Sequence, residues 1–174
     1  MTFEIRSDIT NRSMAIASRA MRRVLRRKRS IIWAIFGWTV FFINALLLIP
    51  FDGEPFTLDA GTVISLLVEV MLLSVLLFRD RFNGMIACKN TLAGTKAYHF
   101  VFGEDSYTII TEVVTSTFHY ELIDALAESQ DYIIFLMKKR YAQPLDKRTL
   151  TGGTVEEFKR FLEEKTGKTF RHVK

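Results

Sequence analysis

The sequence predicts an α+β membrane protein: an N-terminal amphipathic helix and a two-helix transmembrane hairpin, followed by a small antiparallel β-sheet domain capped by a C-terminal helix. Two observations lead to this fold class. Residues 31–50 and 60–78 are long apolar runs, whereas the later sequence changes to short alternating strands divided by turn residues. The predicted units are an N-terminal arm with a basic helix at 1–30, the hairpin at 31–78 and the sheet domain at 79–174.

The N-terminal segment has the pattern of an amphipathic helix. Residues 9–29 contain no glycine or proline, and apolar residues recur at steps of three and four. Asp8 or Thr10 is expected to cap this helix, because a side-chain oxygen there accepts from free backbone N–H groups. Residues 2–5 alternate and predict a short strand or a docked arm. We expect the helix to run along or into the membrane surface and to continue, through a bend at Ser30, into the first span.

The two apolar runs have the length of membrane spans. Residues 31–50 carry no charge, and at about 1.5 Å per residue a helix of this length matches a hydrocarbon core of about 30 Å. Residues 60–78 are nearly as long and contain one carboxyl group, Glu69. The connector at 51–59 has three acidic residues and no basic one, which makes it the predicted external turn. Trp33 is placed to lie at the headgroup boundary.

Positive charge is concentrated before the first span, although the formal net charge is only +5. Lysine and arginine flanking a span stay on the cytoplasmic side, so both termini are predicted to be cytoplasmic. Such a cluster serves as a topology signal and also attracts anionic lipid. Nucleic-acid binding is not expected, because no aromatic stacking residues accompany the charges. The predicted lipid-headgroup and topology residues are Arg19, Arg22, Arg23, Arg26, Arg27, Lys28 and Arg29.

Glu69 lies in the middle of the second predicted span, where an ionised carboxylate costs several kcal/mol. Counted from the external ends of the spans, Thr39, Asn44 and Glu69 lie at similar depth. The structural interpretation is a protonated carboxyl group that is hydrogen-bonded to Asn44 or Thr39. The functional interpretation is an ion or proton relay, or a contact to a partner's span. Since two spans are too few to enclose a pore, any transport role requires an oligomer.

The C-terminal part predicts a sheet closed by one helix. The most apolar strand, 132–138, is expected to be central, and Pro144 suits the next strand to a sheet edge. Residues 121–127 form a short helix or a strand. A helix at 154–166 is predicted from a capping box of Thr154 and Glu157, and it ends at Gly167. The other predicted strands are 96–102, 106–112, 113–120 and 141–145.

Catalytic and metal-binding motifs are absent from the sequence. The three histidines are far apart, the one cysteine has no partner for a disulfide, and no zinc-protease, nucleophile-elbow or phosphate-loop pattern occurs. The glycine pair at 152–153 precedes the last helix and is explained as a turn. The sequence therefore predicts a protein that is not an enzyme, with no cofactor, no metal site and no small-molecule substrate.

The order of elements resembles a known family. Two adjacent spans precede a sheet with Phe-Val-Phe-Gly-Glu-Asp at 100–105, Tyr-Glu-Leu-Ile at 120–123 and Asp-Tyr-Ile-Ile-Phe-Leu at 131–136, and Glu-Glu-Phe-Lys-Arg-Phe-Leu follows at 156–162. This arrangement is similar to the YcxB-like bacterial membrane proteins. The resemblance implies a pleckstrin-homology-like (PH-like) domain, a bent sheet of about seven strands plugged at one end by the last helix. It implies no catalytic residues.

Together these observations predict a non-enzymatic, multi-pass protein of the bacterial inner membrane that tethers a cytoplasmic PH-like interaction domain near anionic lipid. The expected partners are lipid headgroups and either another protein or a second copy of the chain. Two alternatives remain open. One is an immunity-type protein that neutralises a membrane-active toxin through Asn44 and Glu69, and the other is a small oligomeric transport subunit that uses Glu69.

Overall fold

The computed structural model describes residues 2–49, 58–91, 94–138 and 141–173, which form four α-helices and eight strands. The α+β class is confirmed, and α2 and α3 are long and apolar enough to cross a membrane. The elements are β1 (Phe3–Asp8), α1 (Asn11–Val24), α2 (Arg27–Leu47), α3 (Ala60–Lys89), β2 (Ala97–Phe102), β3 (Ser106–Ile110), β4 (Thr115–His119), β5 (Ala125–Glu128), β6 (Tyr132–Met137), β7 (Tyr141–Asp146), α4 (Val155–Thr166) and β8 (Phe170–His172).

The first sheet has the strand order β1-β2-β3-β4, and all its pairings are antiparallel. The N-terminal segment is a strand and not a loosely docked arm, since β1 pairs with β2 from Phe3 opposite Phe102 to Asp8 opposite Ala97. The apolar residues Phe3 and Ile5 of β1 are buried, as alternation along a strand requires. Residues before and after the helical hairpin therefore share one sheet.

The second sheet has the order β7-β6-β5-β8, in which β5 and β8 are parallel and the other pairs antiparallel. Strand β6 is central and fully buried, and Pro144 lies in the outer strand β7, as predicted. For residues 121–127 the sequence predicts a short helix or a strand. The structure has a tight turn at Tyr120–Leu122, followed by the strand β5. Strand β8 was not predicted, because three residues are too few to show alternation.

The core lies between the two sheets and helix α4. The Phe102 ring is 6.0 Å from the Phe135 ring of the second sheet and 4.8 Å from the Phe158 ring of α4. The predicted capping box of Thr154 and Glu157 opens α4, and the helix ends at Gly167, whose φ of 64° is left-handed. Helix α4 thus covers one end of the sheet pair.

The break between α1 and α2 lies earlier in the chain than the sequence predicts. The predicted bend at Ser30 is wrong: α1 ends at Val24, and Ser30 lies inside α2, where its N–H donates to the Arg26 carbonyl at 2.9 Å. Helix α1 ends here because the N–H groups of Leu25 and Arg26 both donate to the Met21 carbonyl, each at 3.1 Å, which breaks the regular helical hydrogen-bond pattern.

Helix α3 is longer than the predicted second span. It begins after Asp59, whose carboxylate accepts from the Thr62 N–H at 2.8 Å, and it continues to Lys89. At Phe78 the backbone departs from helical geometry (φ −104°, ψ 16°), so the predicted end of the span is a kink within a longer helix. Of the predicted external turn at 51–59, residues 51–57 lie outside the described residues.

Candidate functional site

Helix α1 is packed between the candidate spans and the second sheet. Its small residues Ala17 and Ala20 are buried with Met21 against the outer face of β5 and β6, where Ala127 and Ile134 lie. The alternation of β6 explains this, because every second residue points away from the main core. The expectation that α1 lies along the membrane surface is therefore wrong for its apolar stripe, which covers the sheet.

The opposite side of α1 contacts α3 at very short range. A Cβ atom added at Gly84 of α3 would lie 2.4 Å from the backbone nitrogen of Ala15. Glycine at one helix and alanine at the other permit such an approach of two backbones. The two candidate spans are thus connected to the sheet through helix packing as well as through the chain.

Asp80, two residues beyond the kink in α3, holds two arginines of α1. Its carboxylate accepts from Arg22 Nε at 2.9 Å and lies 3.5 Å from Arg19 Nε, and its side chain is only 11% exposed. The hydrogen bond from Arg22 and the negative charge of Asp80 raise the pKa of the Arg22 guanidinium. Two of the predicted headgroup residues, Arg19 and Arg22, therefore also join α1 to α3, a contact that no sequence pattern revealed.

The remaining residues of the predicted basic cluster lie around the junction of α1 and α2. Arg23 is on the last turn of α1, and Arg26 occupies the break between the helices. The first turn of α2 carries Arg27, Lys28 and Arg29, all of which are exposed. The cluster is thus divided between a face that contacts α3 and a face that is open to the surroundings.

A polar contact joins the two candidate spans within their apolar length. Asn44 Nδ2 of α2 donates to Glu69 Oε2 of α3 at 2.8 Å. Of the two partners that the sequence allowed, the structure brings Asn44 to Glu69, whereas Thr39 is exposed and makes no hydrogen bond to Glu69 in the described part of the chain. The second oxygen, Glu69 Oε1, is buried and has no hydrogen-bond partner among the described residues.

Comparison with known families finds a match within the sheet-rich part of the chain. Residues 102–162 match the family model described as YcxB-like protein. This part of the chain is similar to the YcxB-like family. No curated protein and no solved structure matches the chain. The matched segment runs from the end of β2 into α4, so α2 and α3 lie outside it.

Within the matched segment, Glu128 is a buried carboxylate that the sequence did not indicate. Its side chain is 9% exposed, and it accepts from Lys147 Nζ at 2.6 Å and Lys159 Nζ at 2.8 Å. Burial acts to raise the pKa of Glu128, but the hydrogen bonds and charges of the two lysines outweigh burial and lower it. This cluster joins β5 to the residue that follows β7, Lys147, and to the first half of α4, at Lys159, and its members are too far apart in sequence to be paired by spacing.

An apolar cavity of about 630 Å³ opens beside the first sheet, and none of its described lining residues comes from α4. Tyr98 and Phe118 line it from the first sheet, Met137 and Tyr141 from the second, and Ala87 from the end of α3. Cavities of this size and lining accommodate apolar groups. The cavity is a candidate interaction site that the sequence did not locate.

Two of the histidines contact a carboxylate on a neighbouring strand. Within the described ranges, no group of three or more His, Cys, Asp or Glu side chains is arranged to hold a metal ion. His99 lies 3.0 Å from Glu4 across the β1–β2 pair, while His172 lies 3.5 Å from Glu128 in the other sheet. These contacts join neighbouring strands.

Proposed function

We propose that this is a non-enzymatic protein of the bacterial inner membrane whose two spans tether a PH-like interaction domain close to anionic lipid. The observation that carries the proposal is the pairing of β1 with β2. Because β1 precedes the hairpin and β2 follows it, α2 and α3 can both cross the bilayer only if the two ends of the hairpin emerge on the same side. That requirement matches a two-span anchor.

The exposure of α2 and α3 supports the membrane assignment. Their apolar windows are almost entirely unburied, which distinguishes them from the core helices of a water-soluble protein. Basic residues flank both helices at the same end, with Arg27 and Arg29 beginning α2 and Arg79 and Arg81 following the kink in α3. The positive-inside rule places this end, and with it the sheet domain, in the cytoplasm.

The PH-like assignment is supported by two four-stranded sheets that enclose one core, with α4 packed into it through Phe158 and Leu162. We propose the 630 Å³ apolar cavity as the interaction surface of this domain. Its occupant is a protein segment with apolar side chains, from a partner or from a second copy of the chain, because the lining offers many apolar contacts and few polar ones.

The contact between Asn44 and Glu69 provides the test that separates anchoring from the alternatives. Glu69→Gln keeps an oxygen that accepts from Asn44 Nδ2, so an anchoring role predicts unchanged abundance in the carbonate-washed membrane fraction and an unchanged phenotype. Asn44→Leu is the paired variant that removes the donor. Its expected effect is a loss of about 1 kcal/mol in span association.

Glu69 Oε1, which has no hydrogen-bond partner in the described ranges of the chain, favours a second candidate, an intramembrane function of the spans. A toxin-neutralising or transport role that uses Glu69 predicts that Glu69→Gln abolishes protection or transport while the protein stays at normal abundance in the membrane. That outcome would overturn the anchoring proposal. Retention of full activity by Glu69→Gln would instead overturn the intramembrane candidate.

A further inference from the structure

A small cavity of about 240 Å³ lies where α1, α2 and α3 meet. Arginines from three separate segments line it: Arg22 from α1, Arg26 and Arg29 from the α1–α2 junction, and Arg79 from α3. Trp33 of α2 and Asn83 of α3 also line it, with Met21 and Ser30. The sequence predicts only some of these residues as a cluster, because Arg79 and Asn83 are about fifty positions away from the basic cluster.

The charge of the lining favours an anion. None of the described residues that line the cavity is an aspartate or a glutamate. Asp80 offsets part of the positive charge through its pair with Arg22, but Arg29 and Arg79 make no ion pair with any described residue. Guanidinium groups that converge from different helices repel one another unless an anion lies between them, and arginine binds phosphate oxygens through two parallel hydrogen bonds.

The depth of the cavity points to lipid as the source of that anion. Arg79 immediately follows the kink at Phe78, and Trp33 lies in the second turn of α2, so the cavity lies near the level where both apolar stretches begin. Tryptophan and arginine are both placed at the headgroup level by their amphipathic side chains. Basic pockets between spans on the cytoplasmic side suit anionic headgroups.

We propose that this cavity binds the phosphate group of an anionic lipid headgroup, with Arg29 and Arg79 as its principal ligands. The inference rests on the proposed function, because the cavity faces headgroups only if α2 and α3 cross the bilayer. It extends that function, since a bound lipid at this position holds α1, α2 and α3 together at the membrane boundary. A phosphate monoester or inorganic phosphate offers the same oxygens, and the experiment separates these sources.

The test measures lipid retention by the full chain. The protein is purified in neutral detergent micelles doped with phosphatidylglycerol, cardiolipin or phosphatidylcholine, and bound lipid is counted by native mass spectrometry. The site variant is Arg29→Gln with Arg79→Gln. The matched control is Arg27→Gln with Arg81→Gln, which removes two arginine charges from the same two helices but none from the cavity lining.

The expected result is a stable complex with one anionic lipid for the unchanged protein and the control. The site variant is expected to bind that lipid roughly tenfold more weakly, as the loss of charge-assisted hydrogen bonds to phosphate predicts. Equal weakening in both double variants would show that total charge and not this cavity governs binding, and it would overturn the proposal. Equal retention of phosphatidylcholine would overturn it too, as would displacement of the lipid by millimolar inorganic phosphate.

Folding and membrane insertion are measured separately. Circular dichroism checks that both double variants unfold at the temperature of the unchanged protein. If the site variant is not folded, Arg29→Lys with Arg79→Lys replaces it, and we expect weaker binding because an ammonium group lacks the bidentate geometry. Carbonate washing of cell membranes tests the anchor itself, so a chain that stays in the membrane without binding lipid would overturn this inference alone.

Discussion

On the scale of single residues, Glu128 shows how a buried charge is maintained at the end of a strand. It accepts hydrogen bonds from Lys147 and Lys159, which come from two different parts of the chain. Removal of the central charge leaves two lysines close together and partly buried, with exposed fractions of 15% and 27%. The cluster is stable only with all three members present.

We therefore expect Glu128→Gln to lower the free energy of unfolding by about 1–3 kcal/mol, since it leaves buried cations without their counter-charge. Thermal unfolding in micelles, followed by circular dichroism, measures the change. Glu121→Gln is the matched control, because Glu121 is exposed. A midpoint for Glu128→Gln equal to that of the control would contradict the structural role of the cluster.

Lowering the pH is expected to remove the contribution of Glu128 to the free energy of unfolding. Its pKa in the folded protein lies below the ordinary value of 4.5, so its stabilising effect is complete above that value and is lost as the pH falls through the folded-state pKa. Asp146, beside Arg148, and Glu157, in the capping box, also have lowered pKa values and act in the same range. The difference in thermal unfolding midpoint between the unchanged protein and Glu128→Gln should therefore be smaller at about pH 3 than at about pH 6. A constant difference would be evidence against this linkage.

On the scale of elements, the close packing of α1 on α3 depends on Gly84. A Cβ at this position would meet the backbone of Ala15, at 2.4 Å from its nitrogen and 2.7 Å from its Cα. Backbone atoms have no alternative rotamer, so the two helices would have to separate. The contact of Ala15 with Gly84 and the ion pair of Arg22 with Asp80 lie on the same interface and hold it at two points.

Gly84→Ala is expected to destabilise the protein by about 1–3 kcal/mol through this overpacking, despite the better helix propensity of alanine. Gly61→Ala is the matched control in the same helix, because a Cβ there would meet only the Asp59 carboxylate oxygens at 3.7 Å. We expect the control to be neutral or slightly stabilising. Thermal unfolding of the two variants is measured side by side. Equal unfolding midpoints would contradict the close packing of α1 on α3.

On the scale of the whole molecule, the first sheet constrains how α2 and α3 can cross a membrane. Strand β1 and strand β2 flank the hairpin and pair along six residues each, so an odd number of crossings between them is excluded by geometry. Under the proposed function, the basic residues beside α2 and α3 then predict which side of the membrane the sheets occupy.

Reporter fusions test this topology directly. Alkaline phosphatase fused after Asp52, in the predicted external turn, is expected to be active, and the same reporter fused after Lys174 is expected to be inactive. A green fluorescent protein fusion at Lys174 serves as the reciprocal control and should fluoresce. The reverse pattern would place the sheet domain outside the cytoplasm and would also remove the cavity of Arg29 and Arg79 from the cytoplasmic leaflet.

The sequence by itself determined the properties that depend on neighbouring residues. The two apolar helices, the central position of β6, the edge position of Pro144 and the capping box of α4 all follow from local periodicity, proline chemistry or a three-residue spacing. The contact of Asn44 with Glu69 could also be predicted, because counting residues from the ends of the two candidate spans places both side chains at similar depth.

Only the tertiary structure decided which distant segments meet. It paired β1 with β2 across the hairpin, placed α1 against the second sheet and Gly84, and gathered Lys147 and Lys159 around Glu128. It also ended α1 before Arg26 instead of at Ser30, and brought Arg79 to the cluster that holds Arg29. The physical reason is that local patterns specify elements, whereas contacts between elements depend on shape and charge in three dimensions, which residue spacing does not encode.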